Sequence, residues 1–118
     1  MNDITERTFE FAVEILKLFR QLNKNYSADR SVVGKQLMRS GTSIGANVEE
    51  AQAGQSRADF VHKMSIALKE ARETNYWLRL LIASELVSRE ETSALLQESD
   101  ELRRILGAII VSSKRQPS

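Results

Sequence analysis

The run Arg39-Ser-Gly-Thr-Ser-Ile-Gly-Ala-Asn-Val-Glu-Glu-Ala51 sets the narrowest limit on what this chain can fold into. Ile44, Val48 and Ala51 keep the spacing of one helical face. Gly41, Thr42, Ser43 and Gly45 fill the middle with weak helix formers, and each glycine costs about 1 kcal/mol relative to alanine. A helix that carries them and must still be buried gains where another backbone comes very close. The segment points to packing and assembly before chemistry.

The rest of the chain divides into segments of the same kind. The first helix is predicted over residues 4–22, where Phe11, Ile15, Leu18 and Leu22 line one face and Ala12, Leu16 and Phe19 widen it. The second, over 29–54, starts at a cap from Ser27 or Asp29 and presents Val33, Leu37, Gly41, Ile44, Val48 and Ala51. Gly54 reads as its stop, in the left-handed conformation that ends many helices. The third, over 57–85, opens on the capping box Ser56-Arg-Ala-Asp59. Its core stripe runs from Phe60 and Met64 to Leu78 and Leu81, and Ile66, Trp77 and Leu80 form a second apolar surface. The fourth, over 89–112, follows the capping box Ser88-Arg-Glu-Glu91, with Leu95, Leu102 and Ile109 at heptad spacing. The tail from Ser112 onward reads as frayed. Short connections make neighbouring helices antiparallel, so the expected fold is an all-α, up-down-up-down four-helix bundle in a single domain, residues 1–118.

Composition removes several function classes. There is no Cys, so disulfides, thiolate metal sites and Cys nucleophiles are excluded. No signal-peptide pattern and no long apolar run is present, which leads us to expect a cytoplasmic protein without a membrane span. Seventeen Lys and Arg against 16 Asp and Glu give no overall basic excess of the kind that coats nucleic acid.

The chain also lacks the parts of a catalytic or metal centre. Di-metal bundles need two Glu-x-x-His motifs, and His62 is the only His. Ser40, Ser43 and Ser65 lie mid-helix without a base beside them, and Gly41 and Gly45 lie inside a helix, unlike a phosphate loop. We therefore expect no cofactor and no enzymatic activity. Asn47 borders the apolar stripe, where a buried amide needs partners and can fix register. Gly41, Ser43, Gly45, Asn47, Ile66, Trp77 and Leu80 are the candidate packing or interface residues. Arg30, Lys35, Arg39, Arg57 and Lys63 are the candidates for nucleic-acid contact, if helix 2 and the first half of helix 3 bring them to one surface.

The Arg39–Ala51 run, then Ser56-x-x-Asp59-Phe60, Ile66-Ala-Leu-Lys-Glu-Ala71 and Glu73-Thr-Asn-Tyr-Trp-Leu78, resemble the family named for proteins encoded in 23S rRNA intervening sequences. The resemblance spans nearly the whole chain and is densest over residues 39–78. It implies an antiparallel four-helix bundle and a ring-forming homopentamer, and it carries no catalytic residues. A related branch comprises accessory proteins of diversity-generating retroelements, which act with a reverse transcriptase and bind nucleic acid through a basic surface. Two roles follow as expectations: a homo-oligomer that binds RNA or DNA, or an adaptor for a partner protein such as a reverse transcriptase.

Overall fold

The computed structural model describes residues 3–115, and all of the regular structure among them is helical. The four helices are α1 (Ile4–Leu22), α2 (Ala28–Gln52), α3 (Arg57–Ala83) and α4 (Arg89–Arg115). They form an antiparallel bundle measuring 51 × 23 × 21 Å. Each helix packs on its sequence neighbours, α1 closes back on α4, and the diagonal pairs do not bring their Cα atoms within 8 Å of each other. The α1–α4 seam is much the thinnest of the four.

The helix starts lie where the local chemistry puts them. Asp3, Ser27 and Ser56 accept the N–H groups of Glu6, Arg30 and Asp59 into their side chains. Ser88 and Glu91 form the reciprocal pair: Ser88 Oγ accepts from Glu91 N at 3.0 Å, and Glu91 Oε1 accepts from Ser88 N at 3.2 Å.

The helix ends correct the sequence reading at three places. Helix α2 stops at Gln52, and no glycine among the described residues has a positive φ. Gly54 serves by having no side chain: a Cβ there would lie 3.1 Å from the Ala51 carbonyl oxygen and 3.3 Å from Asp59 Cβ. The left-handed residue is Glu85, with φ 63°, just after α3 ends at Ala83. Leu86 N bonds Leu81 O and Glu85 N bonds Ile82 O, both at 3.1 Å, which is a Schellman closure with Glu at the position glycine favours. Helix α4 continues through Ser112 to Arg115, where Lys114 and Arg115 complement the negative end of its dipole. Residues 116–118, the rest of the expected frayed tail, lie outside the described residues.

The core is a column of Ile15, Leu22, Leu37, Ile44, Met64, Leu78, Leu81, Leu102 and Leu106, all fully buried. Two of the three glycines of α2, Gly41 and Gly45, set its width. A Cβ on Gly41 would meet Ile15 Cγ1 and Cγ2 at 2.9 Å, and one on Gly45 would meet the Thr8 carbonyl oxygen at 3.1 Å. Helix α1 therefore sits against the bare backbone of α2. Polar pairs tie the other helices. The hydroxyls of Ser40 and Thr74 lie 2.9 Å apart across α2–α3, and Asn75 Nδ2 donates to Ser99 Oγ at 3.0 Å across α3–α4.

Adding a methyl at Gly41 forces a stiff, β-branched Ile15 to move, which outweighs the gain in helix propensity. Gly41→Ala should destabilise the protein by about 1–2 kcal/mol. Gly107 gives the contrast, because a Cβ added there would have nothing within 4 Å. Gly107→Ala should stabilise by about 1 kcal/mol through propensity alone. Glu85→Gly should also stabilise, by about 1 kcal/mol, by relieving the left-handed strain. Thermal unfolding of the three variants at one fixed protein concentration checks all three signs.

Candidate functional site

The five cations singled out by sequence do not form one surface. Arg30 lies near the start of α2, beside the α3–α4 turn, where it lines a cavity of about 560 Å³ with Leu86 and Arg89. Arg57 and Lys63 lie at the other end, about 33 Å away along α2 at 1.5 Å per residue. Lys63 pairs with Glu50 at 3.6 Å. Arg39 bridges to α3, contacting Glu70 at 3.3 Å and Glu73. Lys35 is exposed on α2.

The packing candidates divide as well. Gly41 and Gly45 are buried against α1 within the same chain. Ser43 Oγ donates to Arg39 O at 2.6 Å, and Asn47 Nδ2 donates to Ser43 O at 2.9 Å, so both polar groups are satisfied on their own helix. Uncharged polar side chains bond between helices in the Ser40–Thr74 and Asn75–Ser99 pairs. Trp77 and Ile66 are half-buried, and Leu80 is exposed. Trp77 Nε1 donates to Glu73 Oε2 at 2.9 Å, and its ring meets Tyr76 edge-on at 5.0 Å.

A basic face does exist, on the outer side of the α3–α4 pair. Ser99 of α4 faces α3 through Asn75, whereas Glu98 and Glu101 face α1 through Arg7. Asp100, Arg104, Gly107 and Val111 follow at helical spacing on the flank away from α1. On α3, Glu70, Glu73 and Trp77 turn towards Arg39 of α2, which leaves Lys69, Arg72, Tyr76 and Arg79 on the flank beside α4, all exposed. Among the described residues, Lys69, Arg72, Arg79, Arg103, Arg104 and Lys114 thus share this face with a single carboxylate, Asp100. Asp100 holds Arg103 at 2.6 Å and Arg104 at 2.5 Å. The hydrogen bond from Arg103 holds its carboxyl below the usual aspartate range. Arg79 lies over the Tyr76 ring at 5.8 Å. The sequence signal was the spacing Lys69, Arg72, Arg79. It is easily missed because half of the face comes from a different helix.

The opposite flank of α4 is acidic. Arg7 clasps Glu98 at 2.6 Å and Glu101 at 3.2 Å, and the Glu98 bonds push its guanidinium above the usual value. Among the described residues, no group of three or more His, Asp or Glu side chains could hold a metal ion. No helix among them is long and apolar enough to cross a membrane.

The family model for the 23S rRNA-intervening sequence protein matches residues 1–108. The chain belongs to that family. A protein of unknown function from the S23 ribosomal protein family of Bacteroides thetaiotaomicron VPI-5482, known from a 1.70 Å crystal structure, shares the fold. It is 46% identical, with a TM-score of 0.83, and the match covers 92% of this chain and 98% of that one. No curated protein matches the chain.

Asp100 stabilises the α4 surface only while ionised. Its folded value is lowered, so this stabilisation is complete above the unfolded value of about 3.9 and is lost as pH falls through the folded one. Asp100→Asn should therefore lower the melting temperature at pH 7, and the difference from wild type should vanish in strong acid. A constant difference across pH would show that the carboxylate charge does not matter.

Proposed function

We infer that this family member is a non-enzymatic, ring-forming homo-oligomer whose α3–α4 faces bind the phosphate backbone of RNA or DNA. The observation that carries this reading is the clustering of six cations against one carboxylate on that face. Phosphate contacts need Lys and Arg on a shared surface, and this pair of helices provides one. The face has a single exposed aromatic, Tyr76, so it suits backbone contact better than base stacking. A chain without Cys fits the cytoplasm.

Self-association is supported by two unlike apolar patches on either side of α2. On α1, Phe9 is 60% exposed, and Val13 and Leu16 continue its stripe. On the α2–α3 side, Val32 of α2 is 62% exposed, and Trp77 and Leu80 of α3 continue the apolar surface. Two different patches favour a heterologous, head-to-tail contact, which closes into rings. Five subunits is the number that the family resemblance implies. A second reading uses the Trp77–Leu80 patch for a partner protein, such as a reverse transcriptase. The two readings separate by mass: the adaptor leaves the isolated protein monomeric.

Labelled RNA and DNA duplexes titrated at several salt concentrations test the first reading. Arg72→Gln should weaken binding of all sequences alike and lower the salt slope by about one. Lys35→Gln should leave both unchanged. A folded protein that binds neither duplex at low salt refutes the nucleic-acid role. A mass of 13.4 kDa at micromolar concentration refutes the ring. Phe9→Glu should convert the oligomer to monomer while keeping its helix content.

A further inference from the structure

Below the Arg7 clasp, α1 and α4 part and leave an open groove of about 460 Å³. Its floor is apolar. Phe11 and Leu18 rise from the core on the α1 side, while Leu95, half-buried, and Ala94, exposed, come from α4. The rims carry carboxylates: Glu10 and Glu14 on one side, Glu91 and Glu98 on the other. Both cations of the groove are already held, Arg7 by Glu98 and Glu101, and Lys17 by Glu14 at 3.2 Å. Four carboxylates against two held cations leave it acidic. From Arg7 to Gln21 it follows α1 for about 21 Å, four turns of helix.

The geometry points to a docking groove for an amphipathic helix of another protein, with an apolar stripe flanked by Lys or Arg. An apolar seam between two helices accepts a third whose side chains at i, i+3 or i+4, and i+7 enter between Phe11, Leu18 and Leu95. Residues flanking that stripe then fall opposite Glu10 and Glu14 on one rim and Glu91 on the other, as charged flanking positions do in coiled coils. A second copy of this chain is a poor occupant through α1. Its exposed stripe, Phe9–Val13–Leu16, is interleaved with Glu10 and Glu14 and brings like charge to the rims. The groove lies across the bundle from α2, and neither the basic face nor the ring reading is needed for the proposal.

Fluorescence anisotropy with two labelled helical peptides of about 14 residues tests it. Both carry the same Leu stripe; one has Lys at every flanking position and the other Glu. The full-length protein should bind the Lys peptide in low salt, and the Glu peptide at least tenfold more weakly, about 1.4 kcal/mol. Ala94→Arg, which fills the groove with a like charge, should cost the Lys peptide at least tenfold in affinity. Glu10→Lys, an exposed change away from the core, should shift preference towards the Glu peptide. Arg72→Gln should change neither. Equal affinity for the two peptides, or a Lys-peptide affinity untouched by Ala94→Arg in a folded protein, overturns the proposal. Loss of the oligomer in Ala94→Arg also overturns it, because a second copy would then occupy the groove.

Discussion

The contact of α1 with the bare backbone of α2 governs the shape of this bundle. With Gly41 and Gly45 under it, Ile15 packs directly on the α2 main chain, and Thr8 backs onto Gly45. Close approach strengthens dispersion over the whole length of the pair and offsets the glycines' weak helix propensity. It also commits α1 to α2. A helix drawn tightly to one neighbour leaves less of itself for the other, and the α1–α4 seam is correspondingly thin. The Arg7 clasp closes one end of that seam, and the groove occupies the rest. The outer flank of α1 keeps Phe9, Val13 and Leu16 in solvent for the same reason.

Around α4, charge is sorted by flank. Glu91, Glu98 and Glu101 lie towards α1, whereas Arg103, Arg104 and Lys114 lie towards the outer side of α3. A net charge of +1 hides this completely. What a partner feels at close range is the local field, because salt screens charges beyond roughly 10 Å. The near balance of Lys and Arg with Asp and Glu therefore argues against a protein that is basic all over, but it says nothing against one basic face. Asp100 belongs to this arrangement as a tether: it neutralises part of the face while fixing two guanidinium groups in place.

The fold was legible because each helix announces itself locally. Apolar spacing, the capping serines at 27, 56 and 88, and the glycine-rich run of α2 all act within a few residues of sequence. What was not legible shares a physical cause. A hydrophobic stripe identifies the buried side of one helix, but which flank lies beside which neighbour depends on rotation and register between helices. Asn47 at the stripe edge has the place of an interhelical contact and bonds its own turn. Arg39 has the place of a phosphate ligand and is held by two glutamates from α3. The basic face went unseen because Lys69, Arg72 and Arg79 are separated from Arg103, Arg104 and Lys114 by a turn and most of a helix. Glu85 shows a different limit: a Schellman closure can hold a residue that propensity alone would not place there, because its two hydrogen bonds offset the strain.

The positions of the two apolar patches bear on how the proposed ring would present the charged flanks. The patches lie on the two outer faces that meet at α2, and in a four-cornered bundle such faces stand at about a right angle. In a head-to-tail ring the two contact directions of each subunit open by the interior angle of the polygon, about 108° for five members. A right angle is the interior angle of a four-membered ring, so a ring of five requires each pair of contacts to open by roughly 18° more. In that arrangement α2 turns towards the ring axis and α4 turns outward. Both flanks of α4 then stay uncovered in every subunit. A backbone-binding face repeated around a ring binds a long nucleic acid through several weak contacts at once, so modest affinity per subunit suffices. The acidic groove, repeated on the other flank of α4 in the proposed ring, would repel phosphate there.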